Sequence, residues 1–420
     1  MSSDHVIGAG VAGLSAALRI AESGRSVIVH EAAPAAGGRA RSFFDEALGR
    51  TIDNGNHLML TGNRSAMAFL EDTGALAAVD VAPAAVFPFQ DLRTGERWTL
   101  RLGGGWLFQP ACRVPGVGAM RHLSLIRLLV GGRQDTVARR LRRDGTLYDR
   151  FVEPLTVACL NAAPEDASAD LMARVLAETV LRGEAACRPV VAREGLSAAV
   201  VDPAVARLKA LGAQLAFGHR LRRIETSGDR LRRLVFDDGH VPLAEGDRVV
   251  LAVPPQEAAR LVPGLTVPHG SSPIVNIHFA LDGPLAPPFA GGFVGLIGGV
   301  AQWLFLRPGV ASVTVSAAHA LVDRPAEDIA AAAWPDVARA LDLDLDGVAA
   351  PPARVVKEKR ATFRQTPSQT ARRPGAETGI RGLVLAGDWT ATGLPATLDG
   401  AIRSGERAAR LVTGRRARGP

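Results

Sequence analysis

Cysteine is scarce, with three residues at Cys112, Cys159 and Cys187 and no C-x-x-C pair. That excludes a zinc ribbon and a disulfide framework, and no metal site is expected; a reducing cytosol fits best. Tyrosine occurs once, as Tyr148, and aromatic residues make up only 5% of the chain. Little is left with which to cage a cation, which needs a π face or a carboxylate in place of its lost hydration. The sequence opens without a basic segment followed by an apolar one, so no signal peptide is read and a cytoplasmic location is expected. The uncharged run from Gly283 to Leu306 approaches the length of a membrane span, but it holds three prolines and six glycines. It reads instead as two buried strands, Phe293 to Ile297 and Gln302 to Leu306, flanking the Gly298-Gly299 turn.

What is present is globular: 420 residues, 47% hydrophobic and 22% charged, enough for two domains. The net charge of +7 is carried almost wholly by arginine in an Ala/Arg-rich chain. Such a bias does not by itself call for nucleic acid, and no nucleic-acid partner is expected. Residues 1 to about 60 read strand, helix, strand and loop. The segment from about 60 to 190 reads as mainly helical, including Arg64 to Thr73 and an apolar-periodic stretch around Leu123 to Val130. An α/β pattern then resumes: a helix from Ala199 to Leu211, strands at Gln214 to Phe217 and through Leu221 to Phe236, and a buried strand from Arg248 to Val253 closed by Pro254-Pro255. A second insert covers about 270 to 370, and the Arg-rich tail from Arg415 reads as disordered.

The first motif has a mechanical reason at each position. Val6-Ile7 end a strand, Gly8, Gly10 and Gly13 make a G-x-G-x-x-G turn, and a helix starting at Val11 and Ala12 points its N-terminal N–H groups at a pyrophosphate. Glu31 closes the second strand, where a carboxylate accepts hydrogen bonds from ribose hydroxyls. Gly37-Gly38-Arg39 narrows the nucleotide to FAD, because a second glycine turn followed by a guanidinium approaches the same pyrophosphate from the other side. Near the other terminus, Leu383 to Ala386 reads as a buried strand delivering Gly387-Asp388, whose carboxylate suits the ribityl chain. A helix starting at Leu398 presents its N-terminus to the flavin, where the dipole stabilises charge that develops on reduction.

These two ends resemble the amine oxidase and phytoene desaturase superfamily of flavoproteins. Asp53-Asn54-Gly55-Asn56-His57, Glu153-Pro154-Leu155 with Leu160-Asn161, and Arg360-Ala361-Thr362-Phe363 with Thr366-Pro367 resemble its squalene-associated branch, the hydroxysqualene dehydroxylase family. Asn56 and Ala162 stand where that branch is expected to carry Gln and Thr. The resemblance covers nearly the whole chain. It implies an α/β fold in which a Rossmann-like FAD-binding domain (1–60, 191–268 and 376–420) is interleaved with an α+β substrate domain (61–190 and 269–375). It implies reductive dehydroxylation of hydroxysqualene to squalene, in squalene and hopanoid or carotenoid synthesis, with reduced FAD as hydride donor. It also implies that Leu221 and Ile224 flank the adenine and that Asn56 lies at the cofactor. A carotenoid-type desaturase, running hydride transfer the other way, is the alternative. A flavin amine oxidase is disfavoured because Leu394-Pro395-Ala396 stands where a cage aromatic would be expected.

Loss of hydroxide from an allylic carbinol needs a protonating group. His57 is the first candidate, because its motif follows the Gly-Gly-Arg turn, and Glu153 is the second. Asn161 reads as structural. A C30 substrate is nearly insoluble, so peripheral contact with the inner face of the cell membrane, or with neighbouring squalene-pathway enzymes, is expected. Met120 to Arg133, with Leu123, Leu125, Ile126, Leu128 and Leu129 bordered by Arg121, Arg127 and Arg133, is the candidate interface.

Overall fold

The protein is described here by a computed structural model covering residues 3–103, 106–141, 143, 145–281, 287–344 and 350–414. The Arg-rich tail and residues 283–286 of the uncharged run lie outside the described residues.

Five parallel strands form the first sheet, in the order Gln214–Phe217, Ser26–Glu31 (β2), Ser3–Ile7 (β1), Arg248–Leu251 and Leu383–Leu385. One row across it runs Leu215, Val29, Val6, Val250 and Val384. Val6, Val29 and Val250 in that row are at most 1% exposed beneath helices, while Ile7, Val249 and Leu251 on the opposite face pack on Leu221, Leu234 and Phe236 of a three-stranded antiparallel sheet and on the helix Pro255–Leu261, so both faces of the parallel sheet are covered. The helix Val11–Ala21 (α1) packs on this sheet against the C-terminal helix Leu398–Thr413. The two approach so closely that a Cβ at Gly405 would lie 2.2 Å from the Ala12 carbonyl oxygen. The polar residues of β1 are fully partnered: Asp4 pairs with Arg25 at 2.5 Å, and His5 meets His30 at 3.0 Å. His30 in turn meets His219 at 2.8 Å, and His219 reaches Asp238 at 3.0 Å.

A second, seven-stranded sheet runs Ala353–Phe363, Ser271–Ala280, Val310–Ser316, Trp303–Arg307, Phe293–Ile297, Val86–Asp91 and Arg97–Arg101. All its pairs are antiparallel except Phe293–Ile297 with Val86–Asp91. The strands expected on either side of Gly298-Gly299 are its fourth and fifth members. The mainly helical reading of 60 to 190 is corrected at Val79–Val81, Val86–Asp91 and Arg97–Arg101, which are strands. Val86–Asp91 and Arg97–Arg101 pair with each other as a local hairpin, while Val79–Val81 and Val86–Asp91 also pair with distant strands, at Ala192 and Gly295 among others, a pairing of which local periodicity carries no sign. Helices dominate from residue 106 to 186 and roof one apolar cluster around Leu128, Phe151, Leu160, Met172, Phe293 and Phe305. The strand expected from Arg248 to Val253 stops at Leu251, and the two prolines start a helix, Pro255–Leu261, instead of merely closing the strand. Proline is well suited to a helix's first turn, where its missing N–H costs nothing.

Candidate functional site

The glycine turn after β1 divides its labour. Gly8 sits at φ +105, and a Cβ on it would lie 2.6 Å from the Ala252 carbonyl; one on Gly13 would lie 1.9 Å from the Gly8 carbonyl. Both are glycine because backbone packs on them. Gly10 is different: a Cβ there meets nothing within 4 Å, so the space beside it is open to a ligand. It precedes α1 with no side-chain cap, leaving the first N–H groups of the helix, at Val11, Ala12 and Gly13, without intrahelical acceptors. That is an anion-binding arrangement.

Glu31 spans the turn. Its Oε2 accepts from the Ala9 amide and its Oε1 from the Ala33 amide, both at 2.7 Å, and the half-buried carboxylate retains lone pairs for a diol. The second glycine turn is bonded to the first: the Gly37 amide donates to the Ala9 carbonyl at 2.8 Å, and a Cβ on Gly38 would lie 3.4 Å from the Gly10 Cα. Gly37 and Gly38 both have positive φ, +106 and +56. They set Arg39 to reach across the chain, where its guanidinium donates to the Ala361 carbonyl and to Asp388 at 2.9 Å. Asp388 holds Arg39 above the ordinary guanidinium range, against its burial. Gly387, at φ +146, lets the chain turn past Trp389, whose indole Nε1 would lie 2.4 Å from a Cβ there.

The helix Leu398–Thr413 is capped by Thr397, whose hydroxyl accepts from the Gly400 amide at 3.1 Å. The amides of Leu398 and Asp399 stay available at its end. Asp399 is itself buried, accepting from the Ala66 amide at 2.9 Å. Burial raises its pKa, with that amide and Arg403 opposing. Leu221 is buried with Ile7, Phe236 and Leu251 in one apolar cluster, and Ile224 packs at that cluster's edge.

The loop of the Asp53–His57 motif is tied to both layers. The Asn54 amide donates to the Arg41 carbonyl at 2.9 Å and its side chain to the Arg39 carbonyl at 3.3 Å. Asn276 donates to the Asn54 carbonyl at 3.1 Å, Thr314 donates to Asn276 at 2.8 Å, and Asn56 donates to Thr314 at 3.0 Å. Asn56 therefore anchors this loop to the large sheet. His57, next along, is half-buried and its ring has no hydrogen-bond partner among the described residues. Its pKa lies below 6.5, chiefly through burial; Asp53 opposes the shift and Arg39 adds to it.

Glu153 lies elsewhere. It opens the helix Glu153–Leu160, and the end of that helix, not its start, meets the site: the Leu160 carbonyl accepts from Gln365 at 2.7 Å. Seven residues of helix put Glu153 about 10 Å further away. Burial raises its pKa, helped by Glu165 and Asp149 and opposed by Arg143. Asn161, at φ +48, ends this helix with its amide fully used. It donates to the Ser272 carbonyl at 3.0 Å and Thr362 at 3.1 Å and accepts from the Ala317 amide at 2.5 Å, which fits the structural reading.

Two residues escaped the sequence reading. Gln365, fully buried, joins the Leu160 carbonyl to the Ala396 amide at 2.8 Å. Arg373, 8% exposed, donates to the carbonyls of Leu394 and Asp388 at 2.7 and 3.0 Å and lies over the Phe363 ring. Burial pushes its pKa down to about 10, with Asp388 opposing. Neither belongs to a local motif; the one available signal was an arginine within a proline-bounded segment.

The parallel sheet, the two bonded glycine turns and the Arg39–Asp388 bridge between chain ends define a dinucleotide-dependent oxidoreductase. The sequence pattern of the flavin-containing amine oxidoreductases matches residues 11–413. A putrescine oxidase double mutant of solved structure has the same fold, with a TM-score of 0.71 at 16% identity, covering 99% of each chain. The hydroxysqualene dehydroxylase of Rhodopseudomonas palustris is 47% identical over 415 residues, 97% of each chain. That of Sinorhizobium fredii is 45% identical over 412 residues, again 97% of each. The chain thus belongs to the flavin-containing amine oxidoreductase family and, within it, to the hydroxysqualene dehydroxylases. It is an enzyme, and its cofactor is a flavin.

Proposed function

We propose that this chain binds FAD and reductively dehydroxylates hydroxysqualene to squalene. In that reaction the allylic C–O bond breaks, the hydroxyl leaves as water with a proton from the protein, and a C–H bond forms with a hydride. Reduced FAD supplies the hydride. Gly8, Gly10 and Gly13 with Val11 and Ala12 would hold the pyrophosphate, Gly37, Gly38 and Arg39 would close over it, and Glu31 would accept from the adenosine ribose. Asp388 would bond the ribityl chain, and the amide end at Leu398 would stabilise charge on the reduced ring. Leu221 would flank the adenine, and Asn56 would position the His57 loop beside the cofactor. The open space at Gly10 and the free amides of the two helix ends fit such a dinucleotide.

The observation that carries the substrate is the apolar cluster reaching the His57 loop. Leu58, adjacent to His57, packs with Leu60, Leu155, Cys159 and Trp303 on the core that holds Phe151, Leu160 and Phe293. Such apolar surroundings suit a hydrocarbon better than a cation. At Leu394-Pro395-Ala396 no aromatic ring stands to form a cage. The full-length likeness to two dehydroxylases supports the same reading.

For the proton, His57 is proposed as the acid that reaches the leaving hydroxyl, its ring without a hydrogen-bond partner among the described residues; its lowered pKa makes the imidazolium a stronger acid but a less populated one. Glu153, kept protonated to higher pH by burial, is the alternative, though it lies at the opposite end of its helix from Leu160 and Asn161. Anaerobic single-turnover reoxidation of photoreduced enzyme by hydroxysqualene, with product mass, tests both. His57→Ala is expected to keep FAD and substrate binding and slow reoxidation about 100-fold to 10,000-fold. A rate within a few-fold of wild type moves the role to Glu153, tested by Glu153→Gln. Wild-type enzyme that ignores hydroxysqualene when reduced but desaturates an isoprenoid when oxidised overturns the dehydroxylase reading.

A further inference from the structure

We infer that the surface formed by residues 106–133 docks this enzyme on an anionic phospholipid bilayer, its apolar ridge in the headgroup boundary and its arginines on the lipid phosphates. From Arg97 to Gln134 the chain contains no Asp or Glu, and six arginines. Within it a short α-helix, Ala119–Leu123, runs into a 3-10 helix, Ser124–Leu129. In a 3-10 helix every third side chain is eclipsed, so a three-residue repeat makes a straight ridge. Leu128 and His122 face the core at 1% and 2% exposure. Met120, Leu123, Ile126 and Leu129, also three apart, face outward, at 78%, 37%, 53% and 38%. Val130 is 72% exposed and Phe108 is 81% exposed. Phe108 closes a 3-10 turn, Trp106–Phe108, that leans on the same helix through the edge contact of Trp106 with His122.

Large exposed apolar groups clustered on one face of a folded protein mark an interaction site. The charge chooses the partner. Arg127 and Arg133 are exposed and hold no ion pair with a described residue, while most arginines elsewhere on the surface do. An apolar ridge flanked by unneutralised guanidinium groups matches an acidic lipid surface. No described helix is long and apolar enough to cross a membrane, so the contact is interfacial. The patch also roofs the apolar cluster that descends to Leu58 beside His57. A hydrocarbon held in the bilayer therefore meets the protein over its substrate cluster. This last point rests on the proposed function; the docking itself does not.

The test is co-flotation of the full-length, flavin-loaded enzyme with vesicles of phosphatidylglycerol mixed with phosphatidylcholine, against vesicles of phosphatidylcholine alone. Wild type is expected to float with the anionic vesicles, to lose that binding at high salt, and to bind the neutral ones weakly. Arg127→Glu with Arg133→Glu is expected to cut anionic binding about tenfold or more. Phe108→Ser with Ile126→Ser is expected to weaken it without removing its salt dependence. Both variants should match wild type on detergent-solubilised hydroxysqualene while losing rate on substrate embedded in anionic vesicles. Equal flotation of wild type and both variants, or binding indifferent to lipid charge, overturns the proposal. So does a stable dimer by sedimentation that the Phe108 and Ile126 changes dissociate, since the ridge would then face a second copy. If wild type ignores detergent-solubilised hydroxysqualene yet flotation behaves as expected, the substrate reading fails and the docking stands.

Discussion

Glu31→Ala should damage the protein twice, and the two effects are separable. Each carboxylate oxygen accepts a backbone amide at 2.7 Å, from Ala9 inside the glycine turn and from Ala33 after β2. Ala9 is fully buried, so truncation strands its N–H in the interior, at about 1 to 3 kcal/mol, before any cofactor is considered. Loss of the ribose contact adds about 1.5 to 3 kcal/mol for hydrogen bonds to a charged acceptor. Titrating apoprotein with FAD while following flavin fluorescence should show Kd rising about 10-fold to 150-fold. Urea unfolding of the apoprotein should show the first loss alone. Glu31→Gln, which keeps one acceptor, should fall between. Unchanged Kd would remove Glu31 from the ribose, and an unchanged apoprotein midpoint would contradict the bridge across the turn.

Three further outcomes are expected. Gly10→Val should fold with near wild-type unfolding midpoint but lose its flavin, whereas Gly13→Ala, whose Cβ would lie 1.9 Å from the Gly8 carbonyl, should lose both; flavin absorbance and thermal melts decide, and a yellow, normally stable Gly13→Ala would refute the packing argument. Asn161→Ala leaves the Ala317 amide and the Ser272 carbonyl unpartnered and strands a left-handed residue without its amide, so denaturant melts should show a loss of about 2 to 5 kcal/mol. Burial lowers the pKa of His30 to about 3, of His278 to about 4, and that of His5 as well, so unfolding takes up protons below the free value of 6.5. Stability is then full above pH 6.5 and falls as the pH drops toward those folded values, by up to about 1.4 kcal/mol per pH unit for each group; urea midpoints that stay level between about pH 7.5 and pH 5 would contradict it.

The nucleotide half was legible because its chemistry is contiguous. Gly8 to Glu31 is one strand, turn, helix and strand, and each position answers a local demand. Arg39 and Asp388 lie 349 positions apart and were each readable in their own turn, one toward the pyrophosphate and one toward the ribityl chain, but the ion pair between them was not read. The substrate half was less legible, since its elements are defined by distant partners. Val86–Asp91 pairs with its hairpin partner Arg97–Arg101 on one side and with Phe293–Ile297 on the other, and nothing within those six residues announces the distant neighbour. The stretch from Leu123 to Val130 was read as an apolar-periodic helix, but six of its residues wind as a 3-10 helix, where a period of three replaces one near 3.6. Glu153 was read as the second candidate acid, and it lies at the opposite end of the helix Glu153–Leu160 from Asn161. A helix separates its own ends, and the hydrogen bonds to Gln365, Ser272 and Thr362 are made at the Asn161 end.

The bridge between the halves has a charge problem that bears on the cofactor. Arg39 and Arg373 converge on Asp388, one on its carboxylate and the other on its carbonyl. Arg373 is buried and its Nε has no hydrogen-bond partner, and burial has already drawn its pKa down to about 10. Arg373 is therefore a buried cation held by carbonyl and hydroxyl oxygens alone, a costly arrangement, while Arg39, its side chain 44% exposed, keeps the Asp388 carboxylate and also faces Glu358. The pyrophosphate of the proposed FAD, placed at the α1 terminus beside Gly37-Gly38, would supply an anion on the Arg39 side. Arg373 clamps the Leu394 carbonyl and the Thr392 hydroxyl, which lead into the helix Leu398–Thr413. With FAD bound as proposed, its contact with Arg39 and the geometry of the Leu394 loop would be linked through Asp388, a coupling no single motif in the sequence contains.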